Sequence, residues 1–186
     1  MIALFMLAMG CSALALVVCV MYSNGVFGKP GEGTTITTGG SGWKKANATY
    51  YWSYPQCCKN SPSYDPNADT TECDENSGCE YLGKFAGVDG TKSYEWVKSN
   101  NITSFFLLGG GWEKWSGKDI MIRNPKTGKT MTVKVVDTCG DGDCKGCCTR
   151  NATKGGGALV DLEYWTAKRF WGDDLPGEAA IEWKDA

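Results

Sequence analysis

Three polar residues are placed where acid/base or sugar-binding chemistry would put them. Asp137 closes the run Val133–Val136, Asp161 follows Gly157–Val160, and Thr49 is embedded in Ala48–Tyr51. A carboxylate at the end of an apolar strand is poorly hydrated unless it faces a groove, and grooves are where acid/base groups work. Each aspartate also has a plain structural reading. Asp161 could be the N-cap of a helix starting at Leu162, and Asp137 could cap a turn before Cys139–Gly140. Spacing alone leaves both readings open. Aromatic residues stand nearby in the chain: Trp43, Tyr50, Tyr51, Trp52, Tyr54, Trp112 and Trp115. An aromatic face suits the flat apolar side of a pyranose, although most Trp and Tyr in a small β domain are core. Trp52, Tyr54 and Trp112 come first as sugar contacts because Ser53–Pro55 and Gly109–Gly111 imply loops.

The elements that must position these residues are mostly strands. Ala48–Trp52 is aromatic and β-prone, Ser104–Leu108 is a short apolar run closed by three glycines, and Asp119–Arg123 alternates apolar with charged residues. Asn124–Gly128 is a hairpin turn signal, with Thr130–Val136 returning as the partner strand. Two helical periods interrupt this pattern, at Thr91–Ser99 and Leu162–Trp171, the second stopped by Gly172. The insert Pro55–Cys79 has neither period and is expected to be ordered by its cysteines. Its run Asp65–Asp69 mimics the start of a calcium loop, but Thr70 stands in place of the required glycine and Asn76 in place of the glutamate.

The N-terminus points to export. No charge precedes Lys29, and Ile2–Tyr22 is an almost unbroken apolar run, which reads as a secretory signal at residues 1–25 or a retained signal-anchor. Residues 26–42 are Gly- and Thr-rich, a linker that cannot bury a core. The folded domain is expected over 43–172, and 173–186 as an acidic tail with Trp183 as a latch. Sequons at Asn47, Asn101 and Asn151 fit a secreted glycoprotein. Of ten cysteines, Cys11 and Cys19 fall in the leader. The other eight, Cys57, Cys58, Cys73, Cys79, Cys139, Cys144, Cys147 and Cys148, read as a disulfide framework whose connectivity spacing does not fix. Vicinal Cys57–Cys58 and Cys147–Cys148 must each reach different partners. Zinc is the rival for Cys139–Cys148, disfavoured in a chain with no His. No metal or cofactor is expected.

The net charge of −2 comes without a basic run, which removes electrostatic support for nucleic acid or an anionic membrane. A neutral partner fits better, and a monomer is expected.

Taken together, Val135–Cys139, then Gly157–Leu162 with a helix behind it, and the opening Ala48–Tyr51 resemble the expansin family, with its "TD" strand end, its "FDLS…AF" segment and its "ATYY" first strand. That resemblance implies an all-β domain with short helices: a six-stranded double-psi β-barrel stapled by disulfides. It implies that Thr49, Asp137 and Asp161 line an open polysaccharide groove, with Tyr51, Trp52, Tyr54 and Trp112 as substrate contacts. It further implies a secreted protein that binds cellulose, a related β-glucan or chitin and loosens it without hydrolysis.

Family-45 glycoside hydrolases are similar barrels, whose general acid corresponds to Asp161 and whose base lies in a "YWDCC" motif. Here that stretch is Tyr51-Trp52-Ser53-Tyr54, so Ser53 stands where the base would be. Inverting hydrolysis needs two carboxyls about 6.5–9.5 Å apart, and a serine cannot supply one. Asp137, Asp141 or Asp143 could substitute, so an inverting endo-β-1,4-glucanase is the alternative, and a barwin-like structural or inhibitory protein a third. The expansin pattern is also incomplete. Cys139 stands where a groove aromatic is usual, Leu159 and Val160 replace a His-Phe pair, and a single-domain form without a second carbohydrate-binding domain is expected.

Overall fold

A computed structural model describes residues 42–74 and 77–186. The leader, and all of the linker except Gly42, lie outside the described residues.

Six strands form a closed barrel: β1 (Lys44–Tyr51), β2 (Ile102–Leu107), β3 (Asp119–Arg123), β4 (Thr130–Asp137), β5 (Ala158–Glu163) and β6 (Ala179–Asp185), in the spatial order β1-β5-β2-β4-β3-β6. The β1/β5 and β2/β4 pairs are parallel and the other four antiparallel. Exchanging β1, β2 and β3 with β4, β5 and β6 maps this pairing table onto itself. The barrel is therefore two equivalent three-stranded halves wound through one another, each contributing a strand to both parallel pairs. This is the double-psi topology.

The period-2 alternation of the strands sends one set of side chains inward. Ala46, Ala48, Phe105, Ile120, Ile122, Val133, Val135, Val160, Leu162, Ile181 and Trp183 make a single buried core. At its centre Phe105 meets Trp183 edge-to-face at 4.7 Å, and Trp115 meets Trp183 at 5.3 Å.

The expected end of the domain at Gly172 is corrected here. The stretch read as an acidic tail supplies β6, which pairs with both β1 and β3 and closes the barrel. Its Trp183 is core rather than a surface latch. Of the acidic residues that masked the strand, Glu182 lies on its outer side and pairs with Arg123 at 2.5 Å, and Asp185 is exposed at its end.

Among the described residues four α-helices decorate the barrel: α1 (Thr71–Asp74), α2 (Tyr94–Ser99), α3 (Cys147–Lys154) and α4 (Tyr164–Trp171). Helix α2 starts later than its periodicity suggests, because the Lys92 amide bonds the Gly83 carbonyl instead; Ser93 then caps it by accepting from the Trp96 amide. Helix α3 was not foreseen from its Cys- and Gly-rich sequence. It packs Cys148 and Ala152 on Leu159, and Gly155 ends it against β1, where a Cβ would lie 2.1 Å from the Asn47 amide nitrogen. The insert carries only α1 and the 3-10 turn Gly78–Glu80 as helical structure among its described residues.

The eight cysteines form four bridges: Cys57–Cys73, Cys58–Cys79, Cys139–Cys148 and Cys144–Cys147. Each vicinal pair does reach two different partners.

Candidate functional site

Strand register sets the geometry of the site. Thr49 of β1 is opposite Asp161 of β5, Asp161 is opposite Ser104 of β2, and Ser104 is opposite Asp137 of β4. Four polar residues thus form one row across four adjacent strands, on the outer face of the barrel. The last step of the row depends on an irregularity. The β2/β4 register shifts between Thr103 and Ser104, so Val136 is passed over. Strict alternation would send Asp137 to the same side as Val133 and Val135. The bulge instead turns it out, as bulges beside functional sites commonly do.

This row floors an open groove of about 720 Å³, which Thr49, Asp161, Ser104 and Asp137 all line. Glu72 from the insert, Tyr81 just after it, Ala86, and the segment from Thr138 to Cys147 also border it. Two disulfides staple the insert and two staple the 138–148 segment, so both rims are covalently braced. The segment carrying Ala86 lies directly on β4 because Gly87 has no side chain. A Cβ there would stand 2.6 Å from Ser116 Oγ and 2.8 Å from the Val136 carbonyl.

Asp161 is the most perturbed group of the row. It sits within β5, so the N-cap reading is set aside: Glu163 caps α4 instead, accepting from the Trp165 amide at 2.8 Å. Burial of the Asp161 carboxyl at the groove floor raises its pKa to about 7. The hydrogen bond donated by Thr49 Oγ1 to Oδ1 at 2.6 Å partly opposes that shift, and the charges of Glu72 and Asp137 add to it. Asp137 is raised too, mainly by burial, while the Ala86 amide bonds its Oδ1 at 2.9 Å and offsets part of the effect. Asp137 thus receives an amide from a different loop in addition to that of Thr138 at the start of its own turn. Glu163 is 1% exposed and burial lifts it to about 7 as well. The Tyr51 hydroxyl is held well above its ordinary value, first by burial and then by the charges of Asp137, Glu163 and Asp161.

The aromatic expectations divide. Tyr51 and Trp52 line the groove, and Trp52 stacks on Tyr164 with centroids 3.5 Å apart and planes 15° from parallel. Beyond this ledge a second chamber of about 500 Å³ shares Tyr50, Trp52, Glu72 and Gly177 with the first. Tyr54 is corrected: it is 9% exposed, sits among Phe85, Val97 and Val136, and donates its hydroxyl to the Lys92 carbonyl. Trp112 is corrected too, since it packs against the barrel core and does not line the groove. Both sit beside the loops that suggested them, but their rings turn inward.

Among the sequons, Asn47 is 6% exposed, with its amide directed to Asn151 Oδ1 and Glu178 Oε2, both at 3.4 Å. A glycan on Asn47 would have to displace both contacts; Asn101 and Asn151 are half-buried. Ser53, at the position expected for a base, is 5% exposed and lines the groove. Asp143 lines the groove, whereas Asp141 does not; it caps α3 by accepting from Thr149. Ser104 and Glu72 are groove residues that sequence reasoning missed, as it missed Tyr164, which stacks on Trp52, and Glu163, whose charge acts on Tyr51. Ser104 was hidden in an apolar run, and Glu163 in what read as the first turn of a helix.

The four sulfur atoms of Cys139, Cys144, Cys147 and Cys148 lie within 4.8 Å of one another, as do those of Cys57, Cys58 and Cys73. All seven are engaged in disulfides and offer no thiolate to a metal. No helix of the described residues is long and apolar enough to cross a membrane.

No protein-family model matches the chain, and no curated protein matches it. Among solved structures it is similar to the GH45 endoglucanase EG27II, crystallised at pH 8.0 in complex with cellobiose. The likeness covers 76% of this chain and 79% of that chain, at 13% identity and a TM-score of 0.42. So remote a likeness assigns no chemistry to this chain.

Proposed function

We propose that this is a secreted, expansin-like protein whose groove binds a neutral cell-wall or extracellular polysaccharide and loosens it without cutting it. The observation that carries the reading is the row Thr49–Asp161–Ser104–Asp137 along the floor of an open groove, with Trp52 beside it. A groove open at the surface suits a chain passing through rather than a small enclosed ligand. Below pH 7 a protonated Asp161 can donate to a sugar hydroxyl, Asp137 can accept from one, and Trp52 can stack on a ring face. These contacts can replace the hydrogen bonds that hold one glycan chain against another. Keeping a desolvated acid without a cationic partner costs stability, which is commonly tolerated where it serves function. With Ser53 in place of a base just beyond β1, hydrolysis lacks its expected second carboxylate.

One observation favours the alternative of inverting hydrolysis. Glu72 borders the same groove closely enough for its charge to raise Asp161, and Asp137 lies two strand spacings away, about 10 Å between Cα atoms. Either could hold a water at inverting distance from the acid. Incubation with amorphous cellulose, xyloglucan and chitin separates the readings. Binding without release of reducing ends supports loosening. Release that disappears in Asp161→Asn and in Glu72→Gln or Asp137→Asn overturns it in favour of hydrolysis. Absence of binding to all three substrates overturns both.

A further inference from the structure

The two bridges of the 138–148 rim differ in kind from those of the insert. Cys144 and Cys147 are three residues apart, whereas the insert bridges span 16 and 21 residues. A bridge that closes so short a loop adds little to the stability of the fold, so the fold loses little when it opens. The turn inside this loop is also strained: Lys145 has φ 53° and Gly146 φ 81°, and the left-handed region is unfavourable for lysine. Cys147 is the first residue of α3, an environment that stabilises a thiolate, and Cys144 lies in the turn leading into it. Cys148, the next residue, is fully buried in the second bridge, yet its Sγ lies 3.7 Å from Cys144 Sγ and 3.9 Å from Cys147 Sγ.

We propose that Cys144–Cys147 is a thiol–disulfide exchange site for a dithiol reductant, and that its opening is passed on to Cys139–Cys148. In the first step a thiolate of the dithiol attacks Cys147 Sγ, and Cys144 leaves as a thiolate with the electron pair. The second thiol of the dithiol then resolves the mixed disulfide. The dithiol departs oxidised by two electrons, and Cys147 takes a proton to become a thiol. In the second step Cys144 Sγ attacks Cys148 Sγ across the 3.7 Å gap. The Cys144–Cys148 bond forms, the Cys139–Cys148 bond breaks, and Cys139 leaves as a thiolate that solvent protonates; no net oxidation occurs. Cys139 stands two residues beyond Asp137, and both line the groove, so its release frees the rim next to that acid. This last consequence, redox control of ligand binding, rests on the polysaccharide reading above; the exchange chemistry does not.

The test uses the full chain. In Cys147→Ser, Cys144 begins as a free thiol, and alkylation followed by non-reducing peptide mapping should find Cys144–Cys148 linked and Cys139 alkylated in part of the protein. Alkylation of Cys144 alone, with Cys139–Cys148 intact, overturns the exchange. As a second measurement that does not depend on the variant folding, wild-type protein is treated with limiting dithiothreitol. Cys139, Cys144 and Cys147 should be alkylated before Cys57, Cys58, Cys73 or Cys79. Opening of the insert bridges first, or of all four bridges together, overturns the proposal. Polysaccharide pull-down of the same samples separates the two readings. The expected labelling map with no binding even before reduction counts against the groove reading and leaves the exchange site standing.

Discussion

Replacing Asp161 by Asn should make the protein more stable above neutral pH and leave it nearly unchanged in acid. The folded protein raises this carboxyl from 3.8 to about 7, chiefly by burial. A folded-state pKa above the unfolded one means that the native state binds the proton more tightly. Stability is therefore full below about pH 4, falls as pH climbs through the window between the two values, and levels off above about 7. With about 1.4 kcal/mol per pKa unit, the cost at pH 8 is on the order of 4 kcal/mol. Asparagine keeps the shape of the neutral acid and can still accept from Thr49 Oγ1, so it removes the cost without emptying the site. Urea unfolding followed by tryptophan fluorescence at pH 4 and pH 8 reads the difference. Glu163 contributes a slope of the same sign, but it is common to both proteins and cancels. A wild-type protein as stable as the variant at pH 8, or a difference between them that does not change with pH, would refute the claim that Asp161 is buried at the groove floor with its pKa raised to about 7.

Thr49→Val removes the donor that favours the charged form of Asp161, so the Asp161 titration followed by carboxyl NMR should move upward; an unchanged or lowered pKa counts against the 2.6 Å bond. Gly155→Ala drives a Cβ into the Asn47 amide and should cost about 1–3 kcal/mol in chemical denaturation, the range for overpacking. Trp183→Ala should cost about 3–5 kcal/mol as a large core truncation. A chain ending at Gly172 should lack the dispersed amide NMR spectrum of a folded barrel, because it has lost β6; a folded spectrum would contradict the closed topology.

Much of the barrel was legible because its strands carry period-2 patterns and its turns carry Gly and Asn-Pro signals. Asp161 and Thr49 were legible through the apolar runs around them and their resemblance to a known groove. What was not legible depended on long-range pairing. Glu182 and Asp185 made β6 look like a solvated tail, although only its inward side needs to be apolar. Asp137 was found from its place at a strand end, yet nothing local announces the bulge that turns it outward. Ser104 acquires a role only because β2 lies between β5 and β4, a neighbourhood created by the interlocked topology. Tyr54 and Trp112 were misplaced for the converse reason, since a loop in the chain does not fix which way a ring points.

The central claim is that the row Thr49–Asp161–Ser104–Asp137 floors a polysaccharide groove. The most direct measurement is an amide NMR titration of the folded protein with soluble cello- and chito-oligosaccharides. The account predicts saturable shifts concentrated on that row, on Trp52 and on the insert around Glu72, weakened in Trp52→Ala. Shifts confined to another face of the barrel, or none with any oligosaccharide, would contradict it.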